Sequence, residues 1–393
     1  MGSLKDVLRH TPDWRQHTHE GAHKVLSGIE RCHTSALGYH TYQCDNSSCN
    51  KVHLQYHSCR NRHCPHCGYG KVQVWMEDRL RELLPTRYFH VVFTLPYELH
   101  SLVWGHRKAL FKLLFDSAAH CLLTLSKDPK YLGAVPAITA VLHTWGQQLQ
   151  FHPHVHCIVS GGGADANNQW HELKKGFGDF LFPYNVMMPL YRGYFLHHLN
   201  QMVKAGTVRV PENTNWPKLR DRLHKTKWTV FAKSPVQSPD KVVEYLARYT
   251  QKIAISNHRI MQVDERGVVF TWKDYRQGGK RKTVRLSREE FLRRFSAHIL
   301  PPRFVRIRHY GLLTNRNRKT RLAAIMKNMG VQPCPEVLEV SPEVKRLLTF
   351  GRSAIKCTAC NKGTLVLAGV VYPSARGDPT KAIEHIVQKR QAV

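Results

Sequence analysis

Three histidines stand at alternate positions in Phe151-His152-Pro153-His154-Val155-His156-Cys157. In an extended strand alternate side chains share a face, so His154 and His156 project together, about 7 Å apart along the pleat, and can converge on one divalent ion. His152 has the same parity, but Pro153 breaks the ladder and can turn it away. An open catalytic site needs a third ligand. Gln147 is the candidate, because Trp145-Gly146-Gln147 lies where a hairpin partner would face the His pair; its other reading is hydrogen bonding within a turn. Two imidazoles and an amide carbonyl leave positions for water or phosphate, and magnesium or manganese held there would polarise a scissile phosphate as a Lewis acid. A bare His-x-His also occurs on ordinary exposed strands and does not by itself establish a metal.

A second reactive group sits in Lys241-Val242-Val243-Glu244-Tyr245-Leu246-Ala247-Arg248-Tyr249-Thr250-Gln251-Lys252. The spacing predicts a helix with Val242, Leu246 and Ala247 toward the core. Tyr245, Tyr249 and Lys252 follow at steps of four and three and so share one face. A phenol can act as a covalent nucleophile where a metal and cations ease its ionisation. Two aromatic side chains at this spacing are also what a packed core provides.

The cysteines carry the third chemistry. Of eleven, six fall between Cys32 and Cys67 and a later pair is Cys357 and Cys360. Clusters of this kind read as metal sites, not as a disulfide framework. Short Cys-x2–4-Cys knuckles supply two zinc ligands from one turn. Cys44, Cys49, Cys64 and Cys67 make the best tetrahedral set. Cys32, Cys59 and His63 are the parts from which a second zinc could be built. Cys357-x2-Cys360 supplies half of a further site, with Cys334 or a distant histidine to complete it. Such zinc would be structural, because a loop-rich module of this size has too few apolar residues to fold alone. Arg60, Arg62, Lys51 and Lys71 would then form a cationic face.

The elements that must position these groups follow from local pattern. Residues 71–85 have helical apolar spacing ended by Pro85, and 88–95, rich in aromatic and β-branched residues, reads as a strand stopped by Pro96. Residues 97–127 read as a helix, 137–145 and 155–160 as strands, and Gly161-Gly162-Gly163 as the turn that ends the second of these. Residues 186–205 are expected to be helical despite Pro189, 227–232 a strand, 241–252 a helix, 255–290 short alternating strands, and 303–393 a basic, less regular region. Strands partly joined by tight turns and separated by helices indicate an α+β fold, with helices on an antiparallel sheet and a ferredoxin-like or RNA-recognition-like core. The expected division is 1–85, a zinc-binding DNA-recognition module with its connecting helix; 86–300, the catalytic domain; and 301–393, the basic C-terminal region.

Lysine and arginine number 59 against 28 acids, a formal charge of +31 over 393 residues. A charge that large repels itself unless a polyanion neutralises it, which points to nucleic acid contacted through many phosphates. Aromatic residues among cations suit single strands, because bases stack on them. Trp272-Lys273-Asp274-Tyr275-Arg276 and the run from Arg303 to Tyr310 are candidates, with core packing as their other reading. No run of about 18 apolar residues marks a membrane span, and no apolar leader is evident. The expectation is a cytoplasmic, nucleoid-associated protein with no membrane partner.

Together these segments resemble the bacterial rolling-circle insertion-sequence transposases of the insertion sequence ninety-one type, HUH-type enzymes named for a His-hydrophobe-His site. The resemblance rests on Ser58-Cys59-Arg60-Asn61-Arg62-His63-Cys64-Pro65, His90-Val91-Val92-Phe93-Thr94-Leu95-Pro96, His152-Pro153-His154-Val155-His156, Tyr245-Leu246-Ala247-Arg248-Tyr249 and Val305-Arg306-Ile307-Arg308-His309-Tyr310-Gly311-Leu312-Leu313. It implies an HUH endonuclease core behind an N-terminal transposase zinc-binding domain. It also implies metal-dependent cleavage and joining of single-stranded DNA through a 5′-phosphotyrosine, acting on single strands and hairpins at transposon ends and on target DNA. Tyr249, which has the Tyr-x-x-Lys context, would be the principal nucleophile and Tyr245 a second nucleophile or a support. Lys252 would orient the phosphate or protonate the leaving oxygen. A replication initiator or relaxase-type nickase, or a catalytically silent zinc DNA-binding regulator, are the alternatives.

Overall fold

A computed structural model describes residues 2–49, 51–67, 82–174, 181–236, 253–314, 318–331 and 356–372. Its centre is an antiparallel sheet built from β3 (Tyr88–Thr94), β4 (Val135–Trp145), β5 (Phe151–Ala164) and β7 (Thr229–Val236), with β11 (Ile307–Gly311) at one edge. The strand order is β11-β4-β5-β3-β7, and the short β6 (Trp170–Glu172) pairs with the far end of β5. Both β3 and β4 run antiparallel to β5, so they are parallel to each other. The chain crosses between them through the helices α3 (His100–Gly105) and α4 (Arg107–Lys127). The result is a split β-α-β unit whose middle strand is the one with the alternating histidines.

Strand parity divides this sheet into two chemically different faces. Phe89, Val91, Phe93, Ala140, Leu142, Val155, Cys157 and Val159 lie on one face, buried with α4 and with α5 (Tyr184–Lys204) in the main core. Burying side chains of this size is worth about 1.5–3 kcal/mol each, so this face seats the strands firmly. Helix α4 has the length and hydropathy of a membrane span, yet its apolar residues are mostly buried in this core. His90, His143, His154 and His156 lie on the other face. Its far end is closed by α8 (Arg318–Asn328), where Leu322, Ile325 and Met326 meet Ala137, Ala164, Leu312 and Leu313.

Two smaller units flank the near end. The sheet of β8 (Ile260–Asp264), β9 (Gly267–Asp274) and β10 (Lys280–Leu286) shares a core with α7 (Arg288–Ser296) and with the N-terminal helices α1 (Leu4–Arg9) and α2 (His23–Glu30). Ser3 and Asp6 close a capping box on α1, and Ser287 caps α7 by accepting from the Glu290 amide. The third unit pairs β1 (Tyr39–Cys44) and β2 (Val52–Tyr56) with β12 (Leu365–Val371), in the order β12-β1-β2.

Several local expectations are corrected. Gly161-Gly162-Gly163 does not end the strand: β5 runs on to Ala164. The glycines serve close strand packing instead. A Cβ on Gly162 would meet the Trp170 ring at 2.5 Å, and one on Gly163 would meet the Val135 carbonyl at 2.6 Å. The helix expected over 97–127 breaks at His106, whose ψ of 40° interrupts the helical path. Helices α6 (Trp216–Lys225) and α7 went unread, although Asn215 and Ser287 are good N-caps. The described parts of the C-terminal stretch carry regular elements. β11 extends the central sheet and β12 the N-terminal one, so both cross the expected 1–85, 86–300 and 301–393 division.

Candidate metal centres and nucleic-acid surface

Register brings the histidines together. His143 on β4 is paired directly with His154 on β5, and His156 stands two residues further along the same face. Ligand nitrogens of His143, His154 and His156 all lie within 4.8 Å of one another. The ring centroids are 5.5 Å apart for His143 and His154, 4.5 Å for His143 and His156, and 4.8 Å for His154 and His156. His143 and His156 are buried, and His154 is half-buried at the mouth.

Hydrogen bonding sets which nitrogen His154 presents, and a contact from His90 bears on His156. His154 Nδ1–H donates to the His152 carbonyl at 2.7 Å, which leaves Nε2 with the lone pair. His156 Nδ1 is 2.8 Å from Nε2 of His90 on β3, with the two rings stacked 10° from parallel. With that Nδ1 donating, His156 also presents Nε2. Trp145 stacks on His143 with ring centroids 4.5 Å apart. Three neutral imidazoles converging at this spacing fit one divalent ion, and three protein ligands leave positions for water or a phosphate oxygen.

The Gln147 side-chain oxygen is engaged away from the histidines. The β4–β5 turn is docked into the second sheet: Gln147 Oε1 accepts from the Lys273 amide at 3.3 Å, its carbonyl accepts from Arg259 at 2.6 Å, and the Gln148 carbonyl accepts from Arg294 at 3.1 Å. The Gln147 side chain is thus engaged with the second sheet and not within its own turn, and His143 is the side chain that stands beside the His pair. Simple counting outward from Trp145 and Phe151 would set His143 opposite Pro153; a β-bulge between His143 and Trp145 shifts the register by one residue and sets it opposite His154. His152 is not in the group, although its ring centroid lies 5.2 Å from that of His154. It packs on His100, and burial pushes its pKa down to about 4.

The cysteines regroup as well. Cys32, Cys59, Cys64 and Cys67 form one cluster, and Cys44, Cys49, Cys357 and Cys360 form another. The expected set of Cys44 and Cys49 with Cys64 and Cys67 is not formed, because β1 and β2 carry the first pair to the opposite end of the module from the second. In the first cluster Sγ–Sγ separations are 3.5 Å for Cys32–Cys67 and Cys59–Cys67 and 3.8 Å for Cys32–Cys64. Thiolates about 2.3 Å from a tetrahedral zinc stand about 3.8 Å from one another, so the fit is good. His63 is not among the ligands. Its Nε2 accepts from the Leu300 amide at 3.3 Å, and burial first, then neighbouring Arg62, pushes its pKa down to about 3.

The basic candidates separate into buried and exposed. Phe304 is core and Arg308 lies 4.4 Å over the Phe115 ring, whereas Arg303 and Val305 are exposed and 306–310 half-buried, so the 303–310 run is only partly structural. Arg62 donates to the Phe304 carbonyl at 2.7 Å and is tied to the same seam. Tyr275, 70% exposed at the tip of the β9–β10 hairpin, stands among the exposed Lys273, Arg276, Lys280 and Arg281. Tyr245, Tyr249, Lys252, Lys71 and Cys334 lie outside the described residues.

Comparison with known proteins bears on what this arrangement serves. Residues 5–95 match the model of the "Transposase zinc-binding domain" and residues 137–321 that of the "Putative transposase" family. The "Putative transposase y4qJ" of Sinorhizobium fredii is 40% identical over 368 residues, covering 91% of each chain. The "Transposase for insertion sequence element IS801" of Pseudomonas savastanoi pv. phaseolicola is 28% identical over 392 residues, covering 95% of this chain and 91% of that one. No solved structure matches. The first family match spans the cluster of Cys32, Cys59, Cys64 and Cys67, and the second spans the three histidines. The chain therefore belongs to the insertion-sequence transposases of the insertion sequence ninety-one type, with an N-terminal domain that binds structural zinc.

Proposed function

We propose that the protein is an HUH-type rolling-circle transposase that cuts and joins single-stranded DNA at transposon ends through a covalent tyrosine intermediate. The observation that carries this reading is the convergence of His143, His154 and His156 on one sheet face. A divalent ion held by the three imidazoles would polarise the scissile phosphate and ease the loss of the leaving oxygen. The chain's own residues do the rest. Tyr249 supplies the phenolate that attacks phosphorus. A 5′-phosphotyrosine forms as the bond to the 3′-oxygen breaks, and a proton from Lys252 or water completes the free 3′-hydroxyl. Attack by another 3′-hydroxyl reverses the step and returns the phenol, so the phosphodiester's energy is conserved and no nucleotide is consumed. Tyr245 serves as a second nucleophile or supports the first. The exposed cations and Tyr275 hold the strand.

The test is a labelled single-stranded element end incubated with manganese and resolved on a denaturing gel. A covalent adduct is expected with the wild type, lost in Tyr249→Phe and retained in Tyr245→Phe. An undiminished adduct in Tyr249→Phe together with loss in Tyr245→Phe reverses the ranking. No adduct on any element end removes the enzyme reading altogether.

A further inference from the structure

Residues 357–360 fall beyond both family matches, yet the fold returns them to the N-terminal module. Sγ of Cys44 is 3.7 Å from that of Cys360, and Sγ of Cys49 is 3.8 Å from that of Cys357. All four sulfurs lie within 4.8 Å of one another. The separations are too long for disulfides, which need about 2.05 Å, and match the edge of a zinc tetrahedron of about 3.8 Å.

The surroundings are shaped for thiolates. The Gly363 amide donates to Cys360 Sγ at 3.3 Å, and Asn46 Nδ2 approaches the same sulfur at 3.9 Å. His53 Nε2 is 3.4 Å from Cys357 Sγ. A Cβ on Gly363 would stand 2.4 Å from Cys44 Sγ, so the turn 357–364 approaches the opposing knuckle as closely as only glycine permits. The Thr364 amide donates to Asp45 Oδ1 at 2.7 Å and locks the two knuckles face to face.

What this cluster holds has little else to hold it. No residue of β1, β2 or β12 joins the three buried apolar clusters found among the described residues. Val52, Leu54, Val366 and Leu367 are about half exposed. A three-stranded sheet without a core of its own is marginal, and metal binding is the usual remedy.

We infer that Cys44, Cys49, Cys357 and Cys360 bind a second structural zinc ion, independent of the one on Cys32, Cys59, Cys64 and Cys67, and that this ion staples residues 356–372 onto the N-terminal module. The N-terminal module is then complete only when the C-terminal knuckle has arrived. The assignment stands whether or not the proposed tyrosine chemistry is correct.

The full-length protein tests it. In a His154→Ala/His156→Ala background, which removes the histidine site, metal analysis is expected to give two zinc equivalents per chain, and one once Cys357→Ser/Cys360→Ser is added, the remaining equivalent reporting that the rest is folded. Amide exchange over 365–371 should rise at least tenfold in that variant. In the wild type, alkylation followed by mass spectrometry provides a readout that needs no variant: Cys44, Cys49, Cys357 and Cys360 should be protected together and become reactive together on chelation. Two equivalents retained after the two cysteines are replaced, or unchanged exchange over 365–371 after loss of one, would overturn the staple. So would alkylation of Cys357 and Cys360 in zinc-loaded protein while Cys44 and Cys49 stay protected.

Discussion

His143 and Gln147 are four residues apart, and only one of them reaches the histidine pair. The difference is where each sits on the hairpin. His143 is still within β4, opposite His154, whereas Gln147 is in the turn and spends its side chain on the Lys273 amide. Replacing Gln147 by alanine should therefore leave metal-dependent nicking within about threefold of wild type, because one exposed hydrogen bond is worth about 0.5–1.5 kcal/mol to local order and nothing to the metal. His143→Ala should lose at least a hundredfold in nicking and in manganese affinity while still binding single-stranded DNA, measured by titration calorimetry and gel shift. The reverse ordering of the two variants would return the third ligand to Gln147. An all-nitrogen ligand set also bears on the ion: imidazole suits manganese and later transition metals better than the hard magnesium ion, so manganese should saturate the site at lower concentration. The chain carried the His-x-His parity openly, but the third histidine depended on a β-bulge between His143 and Trp145 that shifts the hairpin register by one residue, which local pattern does not announce.

At the scale of elements, what could be read from the chain was what local pattern controls. The alternation in 88–94 and the apolar runs in 137–145 and 155–160 gave strands because their two faces meet different surroundings. The glycines were misread because a glycine run signals a turn unless a neighbouring strand lies against it, and β6 and β4 supply that neighbour only after folding. The cysteine sets were misassigned for the same reason: closeness in sequence favoured Cys64 and Cys67 as partners for Cys44 and Cys49, while the fold brought Cys357 and Cys360 across 300 residues of chain. Phe304 and Tyr275 looked alike as aromatics among cations, yet burial separates them, at 5% and 70% exposed. The β9–β10 hairpin thus presents Tyr275 on an element that is hydrogen-bonded, through Lys273, to the turn beside the histidine strands. Base stacking on one aromatic is worth about 1–3 kcal/mol, so Tyr275→Ala should weaken single-strand binding roughly fivefold to a hundredfold, with Phe304→Ala instead lowering the melting temperature. Fluorescence anisotropy with a labelled oligonucleotide checks this; unchanged affinity in Tyr275→Ala would remove the hairpin tip from the binding surface.

Across the whole molecule, the histidine sheet, the first cysteine cluster and the β8–β10 unit meet along a seam formed by residues 296–304. The seam is polar where it is buried. His298 is enclosed there: Nε2 donates to the Leu149 carbonyl at 2.9 Å, and Nδ1 accepts from the Thr144 hydroxyl at 3.2 Å. His19 reaches the Ser296 carbonyl at 2.8 Å from the N-terminal side, and burial lowers its pKa too. In this arrangement His298 is neutral with both nitrogens used, and a second proton would place a positive charge in a fully buried site. Burial accordingly pushes its pKa down to about 4 from the usual 6.5. The unfolded chain then binds more protons than the folded one between those two values, so stability is full above about pH 6.5 and falls as the pH drops toward 4. The size of the effect is on the order of 3 kcal/mol for a shift this large. Urea midpoints measured at pH 7.5, 6.0 and 5.0 should decline steadily in the wild type. Acid also releases zinc by protonating thiolates, so a decline alone does not assign the group. His298→Gln, which can donate to Leu149 and accept from Thr144 without titrating, separates the two causes. It should start less stable at pH 7.5 and show a shallower decline between pH 6.5 and 5. An equally steep decline in that variant would place the acid sensitivity in the zinc clusters and leave the seam histidine a purely structural residue.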